Sequence, residues 1–225
     1  LGRTSLKDSL EWVHFALTSE DASNIAYALM LSESLRDVFL PTLTKTINAI
    51  GRLAIQNKNL PMLARTHGQP ASPTTFGKEF KIFHTRLERQ LGQLKKYRPQ
   101  AKLNGATGNY NALIAAYPKI NWIKFSEKFI AQINKQRKNN LEASFLTTQI
   151  ESSDSYAELF DIIRRVNTIL IDFNQDVWRY ISDDWIGQKM KEGEVGSSTM
   201  PHKVNPWFLE NSEGNLGIAN SLFEF

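Results

Sequence analysis

Along residues 154–184 the apolar side chains Tyr156, Leu159, Phe160, Ile163, Val166, Leu170, Phe173, Val177 and Tyr180 recur mainly at steps of three and four. That spacing puts them on one face of an α-helix. Ile162, Ile169 and Trp178 fall outside the stripe. A helix that is apolar on more than one side must be covered on more than one side, so the segment is predicted to lie inside a bundle or at a subunit contact. The same rhythm in Phe76, Phe80, Phe83, Leu87, Leu91 and Leu94 predicts a second long helix over 73–98, with Ser72 as its cap and Pro73 in its first turn. A third is predicted over 20–57, through Ile25, Leu29, Leu35, Phe39, Leu43, Ile47, Ile50 and Ala54, with Pro41 placed to kink it. Its entry, Thr18-Ser19-Glu20-Asp21, offers a hydroxyl cap followed by acids in the first turn.

Shorter helices are predicted over 5–16, 121–131 and 207–222. Between the helices at 73–98 and 154–184, residues 102–118 (KLNGATGNYNALIAAYP) are rich in Gly and Asn and read as a turn-rich excursion with room for a small hairpin. The basic run NKQRKNN at 134–140 has no interleaved aromatics and reads as a solvated loop. No repeat, low-complexity tract or linker divides the chain, so a single domain over 1–225 is expected. The fold class is all-α, a long-helix bundle with a small turn-rich excursion. Its longest helices far exceed the globular mean of about 12 residues, and bundles of this kind often continue into an oligomer.

Composition narrows the chemistry. A hydrophobic share of 41% with 11% aromatics in 225 residues belongs to a folded globular chain. The absence of cysteine removes disulfides, thiolate nucleophiles and Cys-based zinc sites, and fits a reducing compartment such as the cytoplasm. The four histidines are scattered without metal-ligand spacing, so no metal and no other cofactor is expected. The chain opens on Leu1 with neither a cationic leader nor a long apolar run, which predicts no membrane partner and is consistent with a piece of a longer protein. The net charge of +4 comes from Lys and Arg interleaved with Asp and Glu. That pattern argues against nucleic acid and suits a small anionic substrate.

Four polar clusters fall at the ends of the predicted helices: TSED at 18–21, RTHGQPASP at 65–73, TTQIE at 147–151, and GSSTMPHKVNP at 196–206. Helix ends and loops are where a rigid scaffold presents functional groups. Each cluster also has a plain structural reading. Thr18 and Ser19 serve as helix caps, His67 as a turn histidine bonded to backbone, Gln149 as part of a strand-like connector, and the Gly-Ser-Ser as a loop tip. Four such clusters in one bundle favour the functional reading.

The last cluster carries a resemblance. Gly196, Ser197, Met200, Pro201, Lys203, Asn205 and Pro206 match every fixed position of the signature loop of the fumarase/aspartase superfamily. The stretches TSED, RTHGQPASPTTFGKE, NGATGNYNA, TTQIE, AELFD, NTILIDFNQDVW and ENSEGN resemble the bacterial type of the adenylosuccinate lyase family within it. The resemblance runs over nearly the whole chain. It implies a helical bundle of the fumarase/aspartase type and a β-elimination. Fumarate would leave adenylosuccinate to give AMP, and leave the succinylated carboxamide ribotide of purine nucleotide biosynthesis in the same way. Such a reaction needs a base for a weakly acidic proton beside a carboxylate, an acid for the departing nitrogen, and donors for the charge that builds up.

By matching motif, the resemblance implies Ser197 as general base and His67 as general acid. It implies substrate contacts from Thr18, Ser19, Thr66, Gln149, Ser198, Lys203, Val204, Asn205 and Asn211. KEGEVG at 191–196 and the loop that follows look like a lid that delivers Ser197 to bound substrate. The implied partners are a purine nucleotide substrate and further copies of the chain, in a homotetramer whose sites are shared between subunits. Family members are longer than 225 residues, so regions on either side are expected to be missing here. The chain departs from the family where Ser152-Ser153-Asp154-Ser155 follows Glu151, in a long connector at 133–146, and at Trp207-Phe208-Leu209. Two other readings stay open: a sister enzyme such as an argininosuccinate lyase, and a non-catalytic helical scaffold.

Overall fold

Helix α1 (Ser19–Ser34) starts at Thr18, whose backbone is extended (φ −100°, ψ 160°) and whose N–H donates to the Asp21 carboxylate at 2.9 Å. One of the helix's own first-turn acids thus satisfies an amide that the helical ladder cannot. In the computed structural model, which describes residues 4–189, 200 and 203–225, a π-helical segment (Leu35–Phe39) and α2 (Leu40–Gln56) follow. The helix predicted over 20–57 is therefore present, and at Pro41 it is rewound. Leu40 N–H returns to the carbonyl of Leu35, five residues back. Proline has no N–H, and its ring crowds the carbonyl four residues earlier, so one wide turn just before it relieves both problems.

The helix predicted to begin at Pro73 begins later. Strands β1 (Pro61–Thr66) and β2 (Gln69–Thr75) form an antiparallel hairpin, with Met62 opposite Thr74 and Thr66 opposite Gln69. Helix α3 (Phe76–Leu94) starts only after it, with Thr75 Oγ1 accepting the Lys78 N–H at 3.2 Å. Ser72 and Pro73 lie in β2 rather than at a helix start. A two-stranded sheet is all edge, so it tolerates Pro70 and Pro73, and the paired backbone is not free to enter a helical turn.

The chain splits into two compact units, Leu1–Thr42 with Lys96–Glu158, and Leu43–Lys95 with Leu159–Phe225. In the first, strand β3 (Gln100–Lys102) pairs in parallel with β4 (Glu142–Ser144), and helices α4 (Asn111–Ala116) and α5 (Trp122–Arg137) lie between them in sequence. The excursion at 102–118 holds a short helix and no hairpin. Its core gathers Ile25 and Ala28 of α1 with Ala101, Leu103, Ile130 and Leu141. The run at 134–140 is not a solvated loop, because α5 continues to Arg137. The Asn134 side chain brackets Leu141, accepting its N–H and donating to its carbonyl, both at 2.8 Å. Arg137 pairs with Glu33 at 2.8 Å, and the Ser32 hydroxyl lies 3.2 Å from both Asn139 and Asn140 Oδ1. The N-terminal helix is a short exposed 3₁₀ turn (Lys7–Trp12).

The second unit buries the apolar stripe of α2 (Leu43, Ile47, Ile50 and Ala54) and Phe76, Phe80, Phe83 and Leu87 of α3, and the two helices come close where a Cβ on Gly51 would lie 2.6 Å from the His84 ring and one on Gly77 would lie 2.5 Å from the Ala54 carbonyl oxygen. Helix α6 (Asp154–Ser182) buries Leu159, Ile163 and Val166 from its main stripe and also Ile162 and Ile169 from beside it, so it is covered on more than one side as its sequence requires. Phe173 meets Phe80 and Phe83 edge-on or tilted, with ring centroids 6.2 and 5.3 Å apart. Helix α7 (Trp207–Glu224) joins α6 through a row of polar pairs: Asn167 to Asn220, Asn174 to Ser212, Gln175 to Glu213 and Trp178 to Glu210. No helix among the described residues is long and apolar enough to cross a membrane.

Candidate functional site

Two of the four polar clusters, TSED and TTQIE, meet the Gly- and Asn-rich excursion in the first unit, around the fully buried side chains of Asp21 and Lys102. Lys102 Nζ donates to Asp21 Oδ1 at 3.0 Å, to the Gly105 carbonyl at 3.1 Å and to the Gln149 carbonyl at 2.8 Å, which uses every proton of the ammonium. Asp21 Oδ1 also accepts the N–H groups of Asn104 and Gly105, at 3.0 and 3.2 Å, while its second oxygen takes Thr18 N–H. A buried ion pair is tolerable only when its remaining donors and acceptors are met in this way. Asn24 fixes the lysine's own backbone, its Oδ1 accepting Lys102 N–H at 2.8 Å.

The loop that carries Asn104 is built to approach the 147–149 stretch closely. Gly105 and Gly108 take φ of +80° and +74°, and a Cβ on Gly108 would lie 2.1 Å from the Thr147 carbonyl oxygen. Asn104 Nδ2 donates to Thr147 Oγ1 at 2.8 Å, and Gln149 Nε2 donates to Thr18 Oγ1 at 3.3 Å. Thr18 is thus the cap of α1 and a neighbour of Gln149 together. Ser19 and Gln149 are exposed, and Gln149 lies in a bend rather than a strand. Sequence reasoning took Asp21 as a first-turn acid and passed over Lys102 and Asn104. The available signal was a lysine between apolar residues, Ala101-Lys102-Leu103, beside a glycine-rich turn.

Thr66, His67, Lys203, Val204, Asn205 and Asn211 belong to the second unit. His67 and Gly68 are the two residues of the β1–β2 turn, with φ of +53° and +73°. Positive φ at both positions is the hairpin turn that matches strand twist, and it carries the imidazole on an exposed tip. Arg65 secures the turn by donating to the Gly68 carbonyl at 2.8 Å, with its guanidinium over the Trp185 ring at 5.1 Å. A cleft beside the hairpin is lined by Arg65, Gly68, Glu79, Asp176, Arg179 and Tyr180, among others. Burial, helped by the charges of Asp172 and Glu79, raises the Asp176 carboxyl above its usual range, and burial also raises the Tyr180 phenol. Lys203 to Asn205 lead into α7, where Asn211 in the first turns accepts from Asn215 Nδ2. Ser197 and Ser198, with the stretch read as a lid, lie outside the described residues. Among the described residues no three His, Asp or Glu side chains converge as metal ligands.

The chain is 52% identical over 213 residues to an adenylosuccinate lyase of Vibrio cholerae, which covers 95% of this chain and 46% of that protein. It is 50% identical over 214 residues to the adenylosuccinate lyase of Escherichia coli K12, with the same coverage. The chain therefore spans about half the length of the curated relatives it matches. In fold it is similar to the crystal structure of 3-carboxy-cis,cis-muconate lactonizing enzyme from Pseudomonas putida, with a TM-score of 0.77 at 24% identity over 98% of this chain and 47% of that one. The model of a family described as lyase matches residues 2–219, and on that match the chain belongs to the lyase family.

Proposed function

We propose that this chain carries the catalytic segment of an adenylosuccinate lyase. In this reading it eliminates fumarate from adenylosuccinate to give AMP, and from the succinylated carboxamide ribotide by the same chemistry. The observation that carries the proposal is its identity to adenylosuccinate lyases at half of all positions over nearly its entire length.

In the reaction the C–N bond to the succinyl group breaks. A proton leaves the neighbouring carbon, and its electron pair forms the double bond of fumarate. Ser197 takes that proton. A serine is a weak base in water, so it depends on a closed site and on the positive charge of Lys203 nearby in sequence. Lys203 and Asn205 stabilise the charge that gathers on the adjoining carboxylate, and His67 protonates the departing nitrogen. Thr18 and Ser19 hold an anionic group of the substrate at the start of α1, where free amides and the helix dipole favour it. Gln149, Ser198, Thr66, Val204 and Asn211 complete the contacts. The convergence of Thr18 and Gln149 at 3.3 Å supports their common role. Copies of the chain associate as a homotetramer with shared sites, and the protein works in the cytoplasm.

The test is fumarate release, followed by absorbance, from adenylosuccinate and from argininosuccinate, using the full-length gene product. Cleavage of adenylosuccinate alone is expected. Ser197→Ala and His67→Ala are each expected to reduce turnover by about 10²-fold or more. Unchanged turnover in either variant removes that residue from the mechanism, and cleavage of argininosuccinate alone replaces the assignment.

A further inference from the structure

The buried Asp21–Lys102 pair has no part in the chemistry above, yet it touches every substrate-facing element of the first unit. We infer that it is a positioning device for the substrate contacts of Thr18, Ser19 and Gln149. This inference rests on the proposed role of those three residues.

Asp21 reaches the amide of Thr18 with one oxygen and the amides of Asn104 and Gly105 with the other. Lys102 reaches the carboxylate, the Gly105 carbonyl and the Gln149 carbonyl. The start of α1, the 104–105 turn and the 149 bend are therefore tied through one charged centre, although more than 80 positions separate Asp21 from Asn104 and 47 separate Lys102 from Gln149. The ring closes on itself where Gln149 Nε2 meets Thr18 Oγ1.

A backbone carbonyl held at 2.8 Å fixes where the Gln149 side chain begins. A backbone amide held at 2.9 Å fixes the turn from which Thr18 and Ser19 project. Core packing alone would be met more cheaply by an apolar pair, because desolvating two charges is costly, and keeping one full charge pair to orient five backbone groups fits a positioning role better. Neither side chain reaches the surface, so both act through Thr18, Ser19 and Gln149 and neither touches substrate.

Two variants of the full-length protein separate positioning from mere stability. Lys102→Met leaves the Asp21 carboxylate buried and unpaired, and is expected to lower Tm and to raise KM for adenylosuccinate about tenfold or more. Adding Asp21→Asn removes the stranded charge, and Tm is expected to recover in part, because the asparagine keeps only one of the two acceptor oxygens, while KM stays raised. The pH profile of kcat, set by the base and the acid, is expected to keep its shape in both. Recovery of KM together with Tm overturns the inference, as does an unchanged KM in Lys102→Met. Hydrogen exchange covers both a variant too unstable to assay and a parent protein that cleaves neither succinyl nucleotide, the latter result sinking the functional reading by itself. In Lys102→Met, or in Lys102→Gln if Met does not fold, amides at 18–21, 103–106 and 147–150 are expected to lose protection together. Loss confined to the neighbourhood of residue 102 overturns the pair's role.

Discussion

Gly68 and Gly108 share nearly the same left-handed backbone, φ +73° and +74°, and differ in their surroundings. An alanine Cβ at 68 would meet nothing within 4 Å, whereas at 108 it would stand 2.1 Å from the Thr147 carbonyl. Gly68→Ala should therefore show only the conformational cost of about 1–2 kcal/mol. Gly108→Ala adds a clash with backbone that must move, and should cost about 3 kcal/mol or more, with loss of order at 147–149. Urea unfolding of the two variants side by side checks the difference. A second residue-scale prediction concerns Tyr97. Its burial, with smaller contributions from the negative charges around Tyr156, Glu158 and Glu151, pushes the phenol up to about 12 from 10. Because the folded state favours the neutral phenol, its contribution is complete below pH 10 and is lost as pH rises through about 12. Tyr97→Phe should make stability less steep in pH over that window, read from denaturant midpoints between pH 9 and 12. At this scale the sequence made Thr18, His67 and Gln149 legible as polar groups at element ends. Lys102 was hidden because a charged residue between apolar ones becomes meaningful only when its partners arrive from elsewhere in the chain.

Long elements were legible for a simple reason: each buries a stripe whose period the sequence displays. The stripes of α2, α3 and α6 were readable before any fold was known, including the second apolar side of α6. The β1–β2 hairpin was not, since PMLART and QPASPTT are poor in β-branched and aromatic residues and alternate weakly. The turn at His67 and Gly68 and, at the open end, the bond from Phe76 N–H to the Leu60 carbonyl at 3.0 Å hold it, so periodicity had little to report. The π segment escaped for a related reason. Pro41 announced a disturbance, but whether a helix kinks or rewinds depends on what must stay packed on either side. Between α6 and α7 the determinants are polar. Asn174 is buried and donates to Ser212 Oγ at 2.9 Å, and Asn167, also buried, donates to Asn220 Oδ1 at 3.0 Å. Truncating Asn174 to alanine strands one partner and opens a small gap, for a cost of about 1–3 kcal/mol. Hydrogen exchange should rise across 207–224 in Asn174→Ala, while the amides of α3 keep their protection.

At the scale of the whole molecule the informative feature is what α7 leaves uncovered. Leu209, Leu216 and Phe223 lie on the half-buried side of this helix, and Phe223 meets Phe160 of α6 with ring centroids 5.3 Å apart. On the other side Trp207, Asn211, Asn215, Ile218 and Leu222 follow one another at steps of four, four, three and four. That spacing is a continuous helical stripe, the kind a neighbouring helix fills. Ile218 is 64% exposed and Leu222 72% exposed. Scattered apolar residues on a surface need no explanation, but a stripe several turns long that also contains Asn211, a proposed substrate contact, does. Self-association through this face would bury the stripe and bring Asn211 against another copy, as the proposed shared sites require. Sedimentation of the full-length protein at micromolar concentration should then show a species larger than the monomer. Replacing Ile218 and Leu222 together with glutamate puts charges on the proposed contact face. The expected result is dissociation with most helical content retained and fumarate release lost in parallel. A double variant that stays assembled would place the subunit contact elsewhere, and one that dissociates but keeps full turnover would show that each chain completes its own site.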